Sequence, residues 1–453
     1  MDLAGKKVLV VGAGISGLAA VRKLIAMKAE VFLTDKQPLA KLQGVKELAL
    51  SPRQLILGQE PDLDSLQPDL LVLSPGVPPE LPFIQKAVQQ RIPVWSEVEL
   101  ALRDTPATVV GITGSNGKTT TTTLLGALAQ ATGRRTVVAG NIGTALSGLV
   151  DDLGKDDIIV AELSSFQLEL IHKARINIAL FLNLTPDHLD RHRTLENYGA
   201  AKARIFLNQT EQDLAVLNWD DSYVRGLAGS TKAKVAYFSR TELLDSGICL
   251  DNGTIVIRDR NGSIPLIKTS ELLLRGNHNI ENVMAATAAA LELGLKPDQI
   301  REVLKKFKPV AHRQEIVGVY NNILYINDSK GTNPDSAIKA LQSYDEPIVL
   351  IAGGKNKGLD LTEFLQVAKQ KAKSLVLVGE AAAEMEAIAN KIGIGRILRS
   401  ESFEDAVRKA IGEAEPGDVV LLSPACTSWD MFKSYEERGE LFKELVRKHY
   451  REP

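Results

Sequence analysis

Gly111-Ile112-Thr113-Gly114-Ser115-Asn116-Gly117-Lys118-Thr119-Thr120 has the residue types to hold a string of phosphates. A β-rich run, Ala107-Thr108-Val109-Val110, precedes it, and a helix-forming run from Thr121 to Ala131 follows. In a strand, glycine turn and helix of this kind, backbone N–H groups converge on an anion and the helix N-terminus adds partial positive charge. Gly114, Ser115, Asn116 and Gly117 form the turn. Lys118 can reach the β- and γ-phosphates, and the Thr119 hydroxyl, with Thr120 beside it, can bind Mg²⁺. The spacing departs from Gly-x-x-x-x-Gly-Lys-Thr: Ile112 stands where the first glycine belongs, and Gly111 lies one place early. An ordinary glycine turn before a helix is the alternative, and the Lys-Thr pair argues against it. The expected ligand is ATP or GTP.

A second glycine motif, Gly12-Ala13-Gly14-Ile15-Ser16-Gly17, follows a strand-like run, and Asp35 lies about twenty residues beyond it. Taken alone it suggests an NAD(P)-dependent oxidoreductase. The chemistry requires only a diphosphate and a ribose or sugar hydroxyl, and the Lys118 loop is surplus to a dehydrogenase. Glu162, in Ala161-Glu162-Leu163-Ser164-Ser165-Phe166-Gln167-Leu168-Glu169, ends a strand where α/β sheets bind ligands. It could hold Mg²⁺, which takes oxygen ligands; a solvated or helix-capping glutamate is the alternative. His188, in Asn183-Leu184-Thr185-Pro186-Asp187-His188-Leu189-Asp190, could ligate a metal, although a lone loop histidine is more often a surface residue. Lys202 alone reads as a solvated or phosphate-facing lysine.

These groups must be positioned by a chain of 453 residues, too long for one core, so two to four domains are expected. Hydrophobic residues at 44% and charged residues at 24% are those of a globular protein. Basic and acidic residues, 54 against 56, nearly cancel, which leaves no electrostatic case for a nucleic-acid partner. Cys249 and Cys426 match no metal spacing and suggest a reducing compartment without disulfides. The apolar N-terminal run could be mistaken for a signal peptide, but Gly12, Gly14 and Gly17 break it and it carries Arg22 and Lys23, so none is expected here. No apolar run approaches the roughly 20 residues that span a bilayer. A cytoplasmic protein with no membrane partner is expected.

Strands are expected at Lys7–Val11, Glu30–Thr34, Leu70–Leu73, Ile92–Trp95, Ile158–Ala161, Ile178–Leu182, Ile323–Asn327, Ile348–Ala352, Leu375–Val378 and Val419–Leu422, alternating with helices. The alternation implies α/β layers with right-handed crossovers. Residues 234–268, with turns at Asp251-Asn252-Gly253 and Arg260-Asn261-Gly262, read as a small inserted β subdomain. The expected domains are 1–104, 105–308 and 309–453: Rossmann-like, P-loop ATPase-like and Rossmann-like.

Six motifs in order carry a resemblance. The Lys118 loop, the Glu162 and Asn183 segments and Gly276-Asn277-His278-Asn279-Ile280-Glu281-Asn282 resemble the ATP-dependent muramyl ligases of peptidoglycan synthesis. Asp328-Ser329-Lys330-Gly331-Thr332-Asn333-Pro334 and Leu422-Ser423-Pro424-Ala425-Cys426-Thr427-Ser428-Trp429-Asp430 narrow it, with the first glycine motif, to the branch that adds D-glutamate to UDP-N-acetylmuramoyl-L-alanine. The resemblance implies that ATP phosphorylates a carboxylate and that the acyl phosphate is captured by the amine of D-glutamate. It implies UDP-substrate contacts at Ile15, Ser16, Asp35, Gly76, Asn141 and Ser164. ATP would be held by Gly114 through Thr120, Asn279, Asn282, Arg313 and Asp328. Lys118, Glu162, His188 and Lys202 would be catalytic. Mg²⁺ would take Thr119, Glu162, His188 and Lys202, the last as a carbamate. D-Glutamate would meet Lys330, Thr332, Lys357, Ser428 and Tyr435, where Tyr435 departs from a common phenylalanine. Because the ligands would come from three units, a C-terminal domain that closes on ATP is expected, in a monomer. A folylpolyglutamate-type ligase is the related alternative.

Overall fold

The computed structural model describes residues 2–451 except Asn261, and the backbone alone of Asp190. Three mostly parallel sheets are flanked by helices. Close contacts divide the chain into two compact units. The first comprises Met1–Leu184, His192–Ile267 and Val283–Val303; the second comprises Thr185–Arg191, Lys268–Asn282 and Leu304–Pro453.

The first sheet lies in the first unit. Its order is Leu55–Leu57, Glu30–Asp35, Lys7–Val11, Leu70–Leu73, Val94–Ser96, all parallel and in the Rossmann manner. Apolar runs such as Val8-Leu9-Val10-Val11 are buried, as strands covered by helices on both faces must be. Helix Ile15–Ala26 follows the glycine turn, where Gly12 has φ of 96°. A Cβ on Gly17 would lie 1.8 Å from the Gly12 carbonyl oxygen, so only glycine lets the helix start this close.

The second sheet has nine strands, in the order Gly262–Lys268, Thr254–Asp259, Gly247–Asp251, Lys234–Ser239, Leu214–Asn218, Ile178–Phe181, Thr108–Thr113, Ile158–Glu162, Thr136–Gly140. This corrects the expectation of a small inserted β subdomain at 234–268. Lys234 pairs with Leu214 and Ile248 with Phe238, so these strands extend the central sheet. The Asp251-Asn252-Gly253 turn is present, with Asn252 and Gly253 at φ of 45° and 76° closing a hairpin. The Arg260-Asn261-Gly262 turn falls on Asn261, outside the described residues.

Two buried glutamates of helix Glu97–Leu102 join these sheets within the first unit. Glu99 accepts N–H bonds at 2.9 Å from His172, Lys173 and Ala174, and pairs with Arg103 at 2.7 Å. Glu97 accepts the Ser147 N–H at 2.5 Å, while its Oε2 has no hydrogen-bond partner. Burial pushes the Glu97 carboxyl above its ordinary pKa, against the Ser147 bonds and the Lys23 charge. A raised folded-state pKa favours the protonated acid. Its contribution to stability is therefore present below the unfolded pKa and lost as pH rises through the folded one. Glu97→Gln is expected to raise the melting temperature by a few degrees at pH 8 and to change it little near pH 4. Thermal melts across that range check this; equal shifts at both ends would refute it.

The third sheet lies in the second unit, in the order Glu315–Tyr320, Ile323–Asn327, Val419–Ala425, Ile348–Gly353, Ala372–Val378, Ile397–Arg399. All pairs but the first are parallel. The edge strand Glu315–Tyr320 was not expected. It turns back through Asn321 and Asn322, whose φ values of 50° and 60° make the hairpin. Apolar clusters fill both faces of the sheet, around Leu350 and Phe364 on one side and Val349 and Phe442 on the other. Among the described residues no helix is long and apolar enough to cross a membrane.

Candidate active site

In the first unit, strand Thr108–Thr113 leads through Gly114 and Gly117, at φ of 149° and 86°, into helix Lys118–Gln130. Both glycines adopt backbone that side chains disfavour. Asn183 braces this loop. Its carbonyl accepts the Ser115 N–H at 2.9 Å, its Oδ1 accepts the Asn116 N–H at 2.9 Å, and its amide donates to the Asn116 carbonyl at 3.1 Å. The Lys118 ammonium donates to the carbonyls of Gly114 and Ser115 at 2.9 and 2.8 Å. The buried Lys202 amine donates to the same Gly114 carbonyl at 2.7 Å and lies 4.5 Å from the centre of the Tyr198 ring. Two lysine side chains thus converge on one carbonyl of the turn before the helix.

Glu162 ends the neighbouring strand, opposite Ile112, and is 2% exposed. Its Oε1 accepts the Asn141 amide at 2.9 Å, and its Oε2 is buried with no hydrogen-bond partner. Thr119 is buried in the first turn of the following helix. An orphaned carboxylate oxygen in the same unit as a phosphate-type loop fits a divalent cation, since Mg²⁺ uses few carboxylates and keeps water and phosphate ligands. Among the described residues no group of three or more His, Cys, Asp or Glu side chains gathers as a metal cage.

Of the expected UDP-substrate residues, Ile15, Ser16, Asp35 and Gly76 line one cleft of about 770 Å³ at the C-terminal edge of the first sheet, with Phe83 on its wall. The Asp35 carboxylate braces the glycine turn, taking the Ala13 and Gln37 N–H groups at 2.7 and 2.8 Å. Asn141 and Ser164 do not line this cleft. Asn141 is bound to Glu162, and Ser164 caps the short helix Ser165–Leu168 in a reciprocal pair with Gln167.

In the second unit, Asn279 and Arg313 line one crevice with Leu273, Ile316 and Tyr344. Asn282 donates to Asn279 at 3.1 Å, and Asn279 to the Arg275 carbonyl at 2.7 Å. Arg313 Nε is buried with no hydrogen-bond partner. Asp328 is buried, accepting Ser423 Oγ at 2.8 Å and the Gln314 N–H at 3.2 Å. Burial pushes its pKa up to about 7, against the pull of Arg313.

His188 has φ of 54° and donates its N–H to the Asp187 carboxylate at 2.9 Å. Lys330 places its ammonium 5.1 Å from the Tyr435 ring centre, and Tyr435 opens helix Tyr435–His449. Lys357 is bound to Asp187 at 3.2 Å. Ser428 is buried, next to Thr427, whose backbone pairs with Lys355; Thr332 lies in the loop before helix Pro334–Leu341.

Several residues at these sites were not expected. Asn183 is the first polar residue beyond strand Ile178–Phe181, a position that hints at a role. Arg438 gave no sign. It is 1% exposed and donates to Ser329 Oγ at 2.9 Å and to the carbonyls of Ser329 and Cys426 at 2.8 and 3.2 Å. It therefore ties the Lys330 loop to the Ser428 loop.

Three family models match: the Mur ligase MurD-like N-terminal domain over residues 6–96, the Mur ligase middle domain over 112–290, and the Mur ligase glutamate ligase domain over 312–426. A protein of Desulfitobacterium hafniense named UDP-N-acetylmuramoylalanine--D-glutamate ligase is 62% identical over 454 residues, covering all of both chains. A protein of the same name from Pelotomaculum thermopropionicum is 48% identical, covering 98% of each. Among solved structures, the MurF ligase of Thermotoga maritima in complex with ADP aligns with a TM-score of 0.62 at 19% identity, covering 99% of this chain and 96% of that one. UDP-N-acetylmuramate-alanine ligase MurC of the same organism aligns at 0.60 and 20%, covering 98% and 100%. These two likenesses bear on fold alone.

Proposed function

Because the chain belongs to the Mur ligase family, we propose that it is an ATP-dependent amide ligase that adds D-glutamate to UDP-N-acetylmuramoyl-L-alanine in peptidoglycan precursor synthesis. Full-length identity of 62% to a relative of that name supports this over an oxidoreductase or a folylpolyglutamate-type ligase. The observation that carries the chemistry is the convergence of Lys118 and Lys202 on the Gly114 carbonyl, in a loop whose N–H groups can cradle phosphate.

In the first step the L-alanine carboxylate attacks the γ-phosphorus of ATP, and the bond to the ADP oxygen breaks. In the second the D-glutamate amine attacks the acyl carbon, phosphate leaves, and the nitrogen gives up a proton. Positioning and charge neutralisation supply most of such catalysis. Gly114 through Thr120 hold the phosphates, and Lys118 offsets charge building on the β- and γ-oxygens. Asn183 braces the loop through Ser115 and Asn116. Mg²⁺, when bound, neutralises phosphate charge; Glu162, Thr119, His188 and a carbamylated Lys202 are the groups we assign to it. Asn279, Asn282, Arg313 and Asp328 take the rest of ATP, with Arg313 suited to paired bonds with phosphate. Ile15, Ser16, Asp35 and Gly76, together with Asn141 and Ser164, take the UDP substrate. Lys330, Thr332, Lys357, Ser428 and Tyr435 take D-glutamate. We assign these three tasks to residues 1–104, 105–308 and 309–453, in a cytoplasmic monomer.

Phosphate release from ATP and Mg²⁺ tests the reading, with each substrate omitted in turn. Release is expected only when UDP-N-acetylmuramoyl-L-alanine and D-glutamate are both present. Release indifferent to D-glutamate would remove the ligase assignment.

A further inference from the structure

The segment that carries Asn183 is gripped on both sides by the end of strand Leu214–Asn218 and the turn after it. The buried Asn218 amide donates to the Leu182 carbonyl at 2.9 Å. The Asp221 carboxylate accepts the Leu184 N–H at 2.8 Å on Oδ2. The peptide group joining Asn183 to Leu184 is therefore bonded at both ends. Its carbonyl takes the Ser115 N–H of the phosphate loop, and its N–H gives to Asp221. A peptide group is planar, so fixing its N–H fixes the direction of its carbonyl. Asp221 is itself held, because its Oδ1 accepts the Val224 N–H at 3.0 Å as the cap of the short helix Ser222–Gly226. All of these residues lie in the first unit.

We propose that Asp221, assisted by Asn218, is a positioning residue of the ligase reaction: it aims the Asn183–Leu184 peptide at Ser115 and so sets the phosphate loop for ATP. The inference rests on the assignment of Gly114 through Thr120 to the ATP phosphates. An anion is held in such a loop only while the backbone N–H groups converge. A loop that spends part of its time in other shapes loses apparent affinity by that fraction. A hydrogen bond to a carboxylate is stronger than one to a neutral acceptor, and is worth roughly ten- to a hundredfold in an equilibrium. Asp221 spends such a bond on a single peptide whose other end meets the loop, so the effect of losing it falls on ATP.

The test uses the full chain with Mg²⁺ in the phosphate-release assay. It measures the KM for ATP, for UDP-N-acetylmuramoyl-L-alanine and for D-glutamate. Asp221→Ser keeps a good helix cap, but its shorter side chain, with one oxygen, cannot also hold Leu184. It is expected to raise the KM for ATP about tenfold and to leave the other two within about twofold. A loss of folded protein alone lowers the rate and moves none of the three KM values. An unchanged KM for ATP in Asp221→Ser therefore overturns the proposal. Asn218→Ala leaves the helix cap intact and is expected to shift the same KM in the same sense. Where Asp221→Ser does not fold, an unchanged KM for ATP in Asn218→Ala overturns the proposal instead. Lys118→Ala separates the two layers. If that variant keeps its activity, the assignment of the loop to ATP fails. If it loses activity while Asp221→Ser keeps the KM for ATP, the positioning role alone fails.

Discussion

Lys118→Ala is expected to lower the rate of D-glutamate-dependent phosphate release by about a thousandfold or more while the protein stays folded. Removing one preorganised donor aimed at developing charge costs about a hundred- to a thousandfold. Lys118 adds a full charge to that donor, at a transferring phosphoryl group where the protein contributes mainly electrostatics. Its ammonium donates to the carbonyls of Gly114 and Ser115, bonds that a water can replace. The loop is also held by Asn183, which bonds the Asn116 N–H and carbonyl independently of the lysine. Steady-state rates together with a thermal melt check this. A variant that keeps more than a tenth of the activity would remove Lys118 from the phosphate site.

Lys202→Ala is expected to lose about a hundredfold or more in the same assay and to regain part of it with a short carboxylic acid. The reasoning differs, because Lys202 is buried on a helix and its amine reaches the loop carbonyl across 88 residues of sequence. If the working form is a carbamate, the side chain presents an anion, and a small carboxylate diffusing into the vacated space can replace that charge. If the amine only props the loop, a carboxylic acid has nothing to restore. Activity titrated with acetate or formate distinguishes the two: loss without rescue sinks the carbamate, and no loss sinks both roles.

The sequence went furthest where one local pattern sufficed. Buried strands such as Lys7–Val11, Leu70–Leu73 and Ile323–Asn327 appear with the limits expected from their apolar runs. The Gly114 to Thr120 loop stands where its glycines and the Lys-Thr pair put it. Residues 234–268 are β-rich as expected, but hairpin turns and short strands look alike in an inserted subdomain and in a sheet extension. Only the pairing of Lys234 with Leu214 and of Ile248 with Phe238 separates them. The edge strand Glu315–Tyr320 escaped because its alternating, half-exposed residues are not a buried run.

By itself the sequence determined which chemical groups the chain owns and the short-range backbone that presents them, because glycine turns and apolar runs act over a few residues. Only tertiary structure decided which group meets which. It gave Asp187 to Lys357, Asn141 to Glu162 and Arg438 to Ser329, across 170, 21 and 109 residues of chain. Hydrogen bonds and ion pairs need their atoms within about 3 Å, and no spacing along the chain encodes such a distance between separate elements.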